Sequence, residues 1–281
     1  FFKQKTAYEI VDCDWSSDVC SSDLMATIDE VRAYWNARPC NVRHSRSPIG
    51  TKEYFDEVEA RRYANEPHNY TFPEFERWRG KRVLEVGCGI GTDAVNFARA
   101  GAIYTGVDLS SESVKLAKQR FDVFGLQGEI FEANAEELSA VFDHHEKFDL
   151  IYSFGVIHHA PRPDRVVANF PNLLAEGGEI RAMLYAKNSW KNILIDAGWD
   201  QPEAQDNCPQ AITYTKQEAR ELFKDFDTVH VEQDFIFPWN IEHYVKYEYV
   251  KQPWFDSMPP ELFKILERAL GWHLLITAKR G

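Results

Sequence analysis

The sequence predicts an α/β fold, a mainly parallel sheet covered on both faces by helices. Three observations carry this expectation. Short apolar runs alternate with helical periods from about residue 80 to 186, the pattern of strands joined by crossover helices. The apolar run Val83-Leu84-Glu85-Val86 turns through Gly87, Gly89 and Gly91 straight into Thr92–Ala100, where Ala94, Phe97 and Ala98 share one helical face. The next strand, residues 102–107, ends in an acid, Asp108.

A strand that turns through glycines into a helix presents bare backbone N–H groups at the positive end of a helix dipole. Glycine suits such a bend because a side chain would block a ligand's approach or forbid the turn's dihedrals. The spacing departs from the G-x-G-x-x-G dinucleotide fingerprint, since Thr92 stands at the third glycine position and Gly91 comes one residue early. No Gly-Lys-Ser/Thr follows, which excludes a phosphate loop. Asp108, at the carboxyl edge of a parallel sheet, is placed to accept hydrogen bonds from a ribose diol. A net charge of −12 over 281 residues argues against general nucleic-acid or anionic-membrane binding. No apolar run approaches a membrane span, so no membrane insertion is expected.

Residues 1–24 contain a near-repeat, Ser16-Ser17-Asp18 and Ser21-Ser22-Asp23, without helical or strand period. They are read as a non-native tail resembling translated sequencing-adaptor DNA, with Met25 as the expected start; an authentic tail is the alternative. Beyond them Cys40, Cys88 and Cys208 are scattered, odd in number and without a CxxC pair, which points to a reducing cytoplasm and no metal site. Residues 25–79 read as a helical cap. Thr27 with Glu30, and Thr71 with Glu74, form capping boxes, and Thr51 caps a helix between them. Tyr34, Arg43, His44, Tyr54 and Tyr63 are candidates to line that cover, though its aromatics read more simply as cap core. Arg38, Arg43 and Arg46 are candidates for an anionic group. Ser110 caps a helix that ends at Gly125, and Pro171 should kink or break the helix before Gly177. Residues 80–281 read as the main domain, with insertions at about 187–210 and 237–270. Thr215 caps a further helix, and strands are expected at 229–236 and 272–278. The second insertion carries Trp239, Tyr244, Tyr247, Tyr249, Trp254 and Phe255. These rings read equally well as a pocket wall or as packing against the cap or a second subunit of a homodimer.

The E-x-G-x-G-x-G run from Glu85 to Gly91, with Asp108 closing the next strand, resembles the class I S-adenosylmethionine (SAM)-dependent methyltransferases. Residues 129–136, 148–159 and 174–180 resemble that family's third strand, its fourth strand and loop, and the turn into its fifth strand, in the right order. The particular flavour resembles the broad "type 11" group of small-molecule methyltransferases. The resemblance implies a Rossmann-like seven-stranded methyltransferase sheet, SAM as cofactor, S-adenosylhomocysteine (SAH) as product and a small-molecule acceptor. It places Glu85, Gly87, Cys88, Gly89 and Gly91 at the methionine end, Asp108 and Leu109 at the ribose, and Asn134 and Ala135 at the adenine. Ser153 and Val156 would line the methyl's approach. His158 and His159 are the candidate catalytic residues, since histidine suits proton removal near neutral pH. A base is optional, because the sulfonium is already an activated leaving group and alignment does most of the work. Oxygen is the weakly preferred acceptor. Two other readings stand: a SAM-binding scaffold or regulatory subunit without turnover, and a nicotinamide-dependent oxidoreductase, against which the missing third glycine speaks.

Overall fold

The computed structural model describes residues 26–281 apart from 143, 144, 146, 201, 202 and 204–206. The expected tail at 1–24 and Met25 lie outside the described residues. The chain opens with helices α1 (Ile28–Ala37), α2 (Lys52–Asn65) and the single turn α3 (His68–Thr71). Then follow β1 (Arg82–Val86), α4 (Ala94–Arg99), β2 (Ile103–Asp108), α5 (Ser111–Phe124), β3 (Glu129–Glu132), β4 (Phe148–Phe154), α6 (Pro163–Leu173) and β5 (Leu174–Ala186). The last third holds α7 (Trp190–Asp196), β6 (Thr213–Tyr214), α8 (Lys216–Leu222), β7 (Thr228–Asp234), α9 (Ile241–Tyr244), α10 (Pro253–Asp256), α11 (Pro260–Leu270) and β8 (His273–Lys279).

The sheet runs β3-β2-β1-β4-β5-β8-β7, a seven-strand ladder to which the two-residue β6 adds beside β5. From β3 to β5 all pairs are parallel, and β8 is antiparallel to both β5 and β7. The order reverses between β1 and β4, which opens a crevice at their carboxyl ends. One apolar face packs Leu84, Ile151 and Ile180 against Val166 and Phe170 of α6 and Phe223. The other packs Val83, Leu150 and Tyr152 against Phe97 of α4 and Val114 and Phe121 of α5. Burial of both faces explains why these strands read as near-continuous apolar runs.

Thr27, Thr51, Ser110 and Thr215 cap their helices as expected, and Gly125 ends α5 in a left-handed conformation. Two local expectations fail. Thr71 and Glu74 form no capping box: Glu74 adopts φ 52° ahead of a 3-10 turn, Phe75–Trp78. Its carboxylate is instead claimed by Arg181 of β5 at 2.6 Å and by Arg77 at 3.1 Å. Helix α6 does not break at Pro171 but runs on to Leu173. The proline falls in the last turn, where only one intrahelical bond is forfeited, and its carbonyl accepts from Arg280. Among the described residues no helix is long and apolar enough to cross a membrane.

Candidate active site

A cavity opens at the crevice where strand order reverses. It measures about 1820 Å³ including its open mouth. The bend after β1 forms one wall. Gly87 has φ 82°, and a Cβ there would stand 2.1 Å from Val156 Cγ2, so only glycine lets the bend close on the loop after β4. Gly89 has φ 53° and nothing within 4 Å of its missing Cβ. Its N–H donates to Asp108 Oδ2 at 2.8 Å, and Ser110 N–H donates to Oδ1 at 2.8 Å. Asp108 is thus pinned against the bend. Burial pushes its carboxyl up to about 6, against the two backbone donors that favour the charged form.

Of the cofactor residues expected from sequence, Glu85, Gly87, Cys88, Gly89, Asp108, Leu109, Asn134, Ala135 and Val156 line the cavity. Gly91 does not. A Cβ on it would meet Ala117 Cα at 3.3 Å, so this glycine serves the packing of α5 on the bend. Ser153 does not either: its hydroxyl donates to Val86 O at 3.0 Å, buried between β4 and β1. Glu85 accepts from Tyr104 OH at 2.7 Å, and burial holds its carboxyl well above the usual range.

Two buried networks that sequence reasoning missed fix α2 over the bend. Asp93, just past the glycines, accepts from Arg62 at 2.9 Å, Tyr63 OH at 2.8 Å and Tyr152 OH at 3.0 Å. Arg120 of α5 donates to Thr92 Oγ1 at 2.8 Å, to Phe55 O at 3.1 Å and to Glu59 at 2.9 Å. Each buried charge is paired and hydrogen-bonded, the condition under which such groups are tolerated.

The remaining walls carry side chains from distant segments. Trp35 and His44 come from the N-terminal stretch, and Phe237, Trp239, Tyr244, Tyr247 and Tyr249 from the segment between β7 and α10. Tyr249 OH meets His44 Nε2 at 2.9 Å and so joins the two. Trp254 stays 53% exposed. Tyr54 is core, its hydroxyl donating to Val42 O at 2.9 Å. Tyr34, Tyr63 and Arg38 do not line the cavity, and Arg43 and Arg46 border a separate surface hollow. Lys191 is buried on the wall, 3.1 Å from Asp200, with its ammonium 4.0 Å from the Phe237 ring centroid.

The two candidate histidines part ways. His158 is fully buried, its ring 3.8 Å from that of Tyr185, and it does not reach the cavity. Burial holds it well below the usual histidine range, so it stays neutral. His159 does line the cavity. Its Nδ1 faces Gln210 O at 2.6 Å, and its Nε2 lies 3.3 Å from Glu203 Oε1, which also accepts from Tyr185 OH. Burial opposes the charged ring, but hydrogen bonds to Cys208 and Glu203 outweigh it and raise His159 to about 10. With acceptors on both nitrogens it is an imidazolium at neutral pH, the opposite of a resting base. Glu203 is correspondingly held low, burial opposing and the bond to His159 prevailing.

Residues 84–180 match the family model described as "Methyltransferase domain". A 120-residue stretch, 42% of the chain, is 33% identical to a ubiquinone biosynthesis O-methyltransferase of Salmonella enteritidis. The match spans about half of that relative, 49% of its length. Among solved structures, magnesium protoporphyrin IX methyltransferase from Synechocystis with bound SAH aligns with a TM-score of 0.57 at 15% identity, over 90% of this chain and 99% of that one. The PH0226 protein of Pyrococcus horikoshii aligns at 0.55 and 15% identity, over 89% and 99%. At such identities these two likenesses are likenesses of fold.

Proposed function

We propose that this chain, whose residues 84–180 match a methyltransferase-domain model and lie in a sheet of order β3-β2-β1-β4-β5-β8-β7, transfers the methyl group of SAM to a small molecule. One observation carries the reading: the glycine bend with its pinned Asp108 opens into the same cavity as the aromatic walls. Gly87 and Gly89 offer backbone to the methionine end, with Glu85 and Cys88 beside it. Asp108 and Leu109 take the ribose, and Asn134 and Ala135 the adenine. Val156 borders the methyl's path. The rings of the insertion suit an acceptor with apolar or aromatic surface.

Bound SAM would supply an activated methyl group; the cavity walls would hold the acceptor's lone pair in line with it, the carbon–sulfur electron pair would leave on sulfur and a hydroxyl acceptor's proton would pass to solvent. Alignment contributes most of the rate. His159 enters as the charged partner that holds Glu203, not as a base. A carboxylate held as low as Glu203 is itself a weak base, which again leaves the work to positioning. Oxygen is the preferred acceptor atom, a preference supported by the O-methyltransferase relatives.

Incubating the protein with methyl-labelled SAM and a small-molecule cell extract tests the proposal. Label entering a metabolite is the expected result. Tight SAH binding without transfer would make the chain a SAM-binding scaffold instead. Thermal stabilisation by NAD and not by SAH would overturn the cofactor assignment.

A further inference from the structure

Glu66 follows α2, His68 opens α3 and His273 opens β8, yet a carboxylate oxygen and one nitrogen of each ring all lie within 4.8 Å of one another. We propose that Glu66, His68 and His273 bind one first-row divalent transition ion, of the Zn²⁺ or Fe²⁺ kind, on the wall of the acceptor half of the cavity. His68 Nε2 and His273 Nδ1 face each other at 2.7 Å. At that distance at least one nitrogen is an unprotonated acceptor, and the pair shares a single proton that an ion would displace. Nitrogens bound to one tetrahedral ion at ~2.0–2.1 Å stand about 3.3 Å apart, so the rings need open by only about half an ångström.

The donor set decides the class of ion. Two imidazoles and one carboxylate suit zinc or ferrous iron, whereas calcium and magnesium want oxygen throughout. The surroundings resemble those of a ligating set. Asn69 Nδ2 donates to Glu66 Oε2 at 2.6 Å and aims the carboxylate. Phe235 packs on both rings, 5.2 Å from His68 and 5.0 Å from His273. The nearby guanidinium of Arg62 is engaged by Asp93 at 2.9 Å. Glu66 and His273 line the cavity, so remaining coordination positions face a ligand there. The ion site stands on these residues alone; calling its neighbourhood the acceptor half rests on the proposed function.

The test is calorimetric titration of the chelator-treated full-length chain with Zn²⁺, with Co²⁺ as a spectroscopic probe. One equivalent should bind, and bound Co²⁺ should show the intense visible bands of a low-coordinate site. His68→Ala and His273→Ala should each abolish that equivalent, and Asn69→Ala should weaken it by about 10–100-fold. SAH titration of each variant separates loss of the ion from loss of the fold or of the cofactor site. Absence of a stoichiometric site in the wild-type chain, or its persistence in both histidine variants, would overturn the assignment.

Discussion

The two halves of the cavity are built by different means. The half proposed for the cofactor is made of backbone, with the bend at Gly87–Gly91 and one carboxylate, Asp108, held by two N–H groups. The half proposed for the acceptor is made of side chains from elements far apart in the chain: Trp35, Glu66, Tyr185, Lys191, Glu203, Tyr249 and His273. Backbone geometry of this kind admits few residue types, so the first half should be brittle to substitution. Side-chain walls can be exchanged, and the second half should tolerate changes in fold while responding in chemistry.

The sharpest break of that contrast lies within the glycines. Gly87→Ala drives a Cβ into Val156 at a left-handed φ and should cost roughly 2–4 kcal/mol of stability, read by chemical denaturation. Gly89→Ala meets no atom within 4 Å. It should cost only about 1–2 kcal/mol for its dihedral, while losing SAH affinity. Equal destabilisation by the two would erase the distinction between a packing glycine and a ligand-facing one.

In the other half, Glu203→Gln should leave SAH affinity unchanged and slow transfer by roughly 100-fold through lost positioning. The same variant should bring His159 down from about 10 towards the ordinary histidine value of about 6.5, as read by NMR titration. A His159 that still titrates near its wild-type value without Glu203 would refute the pairing.

A smaller effect comes from pH. Asp108 titrates at about 6, and only its ionised form is a strong acceptor for ribose hydroxyls. SAH affinity should therefore fall as pH drops through 6, by about 1 kcal/mol or fivefold, and Asp108→Asn should flatten that dependence. In the free protein the sign is reversed for stability. The folded state holds the Asp108 proton to higher pH than the unfolded chain, so this group's contribution declines as pH rises from about 4 to 6.

The same contrast governs what could be read from sequence. The bend and Asp108 were legible because three glycines at alternate positions and an acid at a strand end constrain dihedrals locally; the strand order was not, since pairing is long-range. Gly91 and Ser153 were legible as parts of the motif but not in their orientation, which depends on what α5 and β1 bring against them. His159 was visible as a histidine on the right loop. Its charge state was not, since Glu203 reaches it from a segment after α7 with no periodic signature. Glu66 and His68 form only a short E-x-H spacing, and His273 lies 205 residues beyond His68; nothing local announces their meeting. The failed capping box at Glu74 has the same cause, a competing arginine on β5.

The bend and Asp108 are proposed to hold a nucleoside together. Calorimetric titration of SAH into the wild-type chain and Asp108→Ala, side by side at pH 7.5, tests it most directly. Binding to the wild type is expected, with a loss of roughly 1.5–3 kcal/mol in the variant, whose fold is retained. Equal affinity in the two proteins, or no binding of SAH to the wild type, would contradict it.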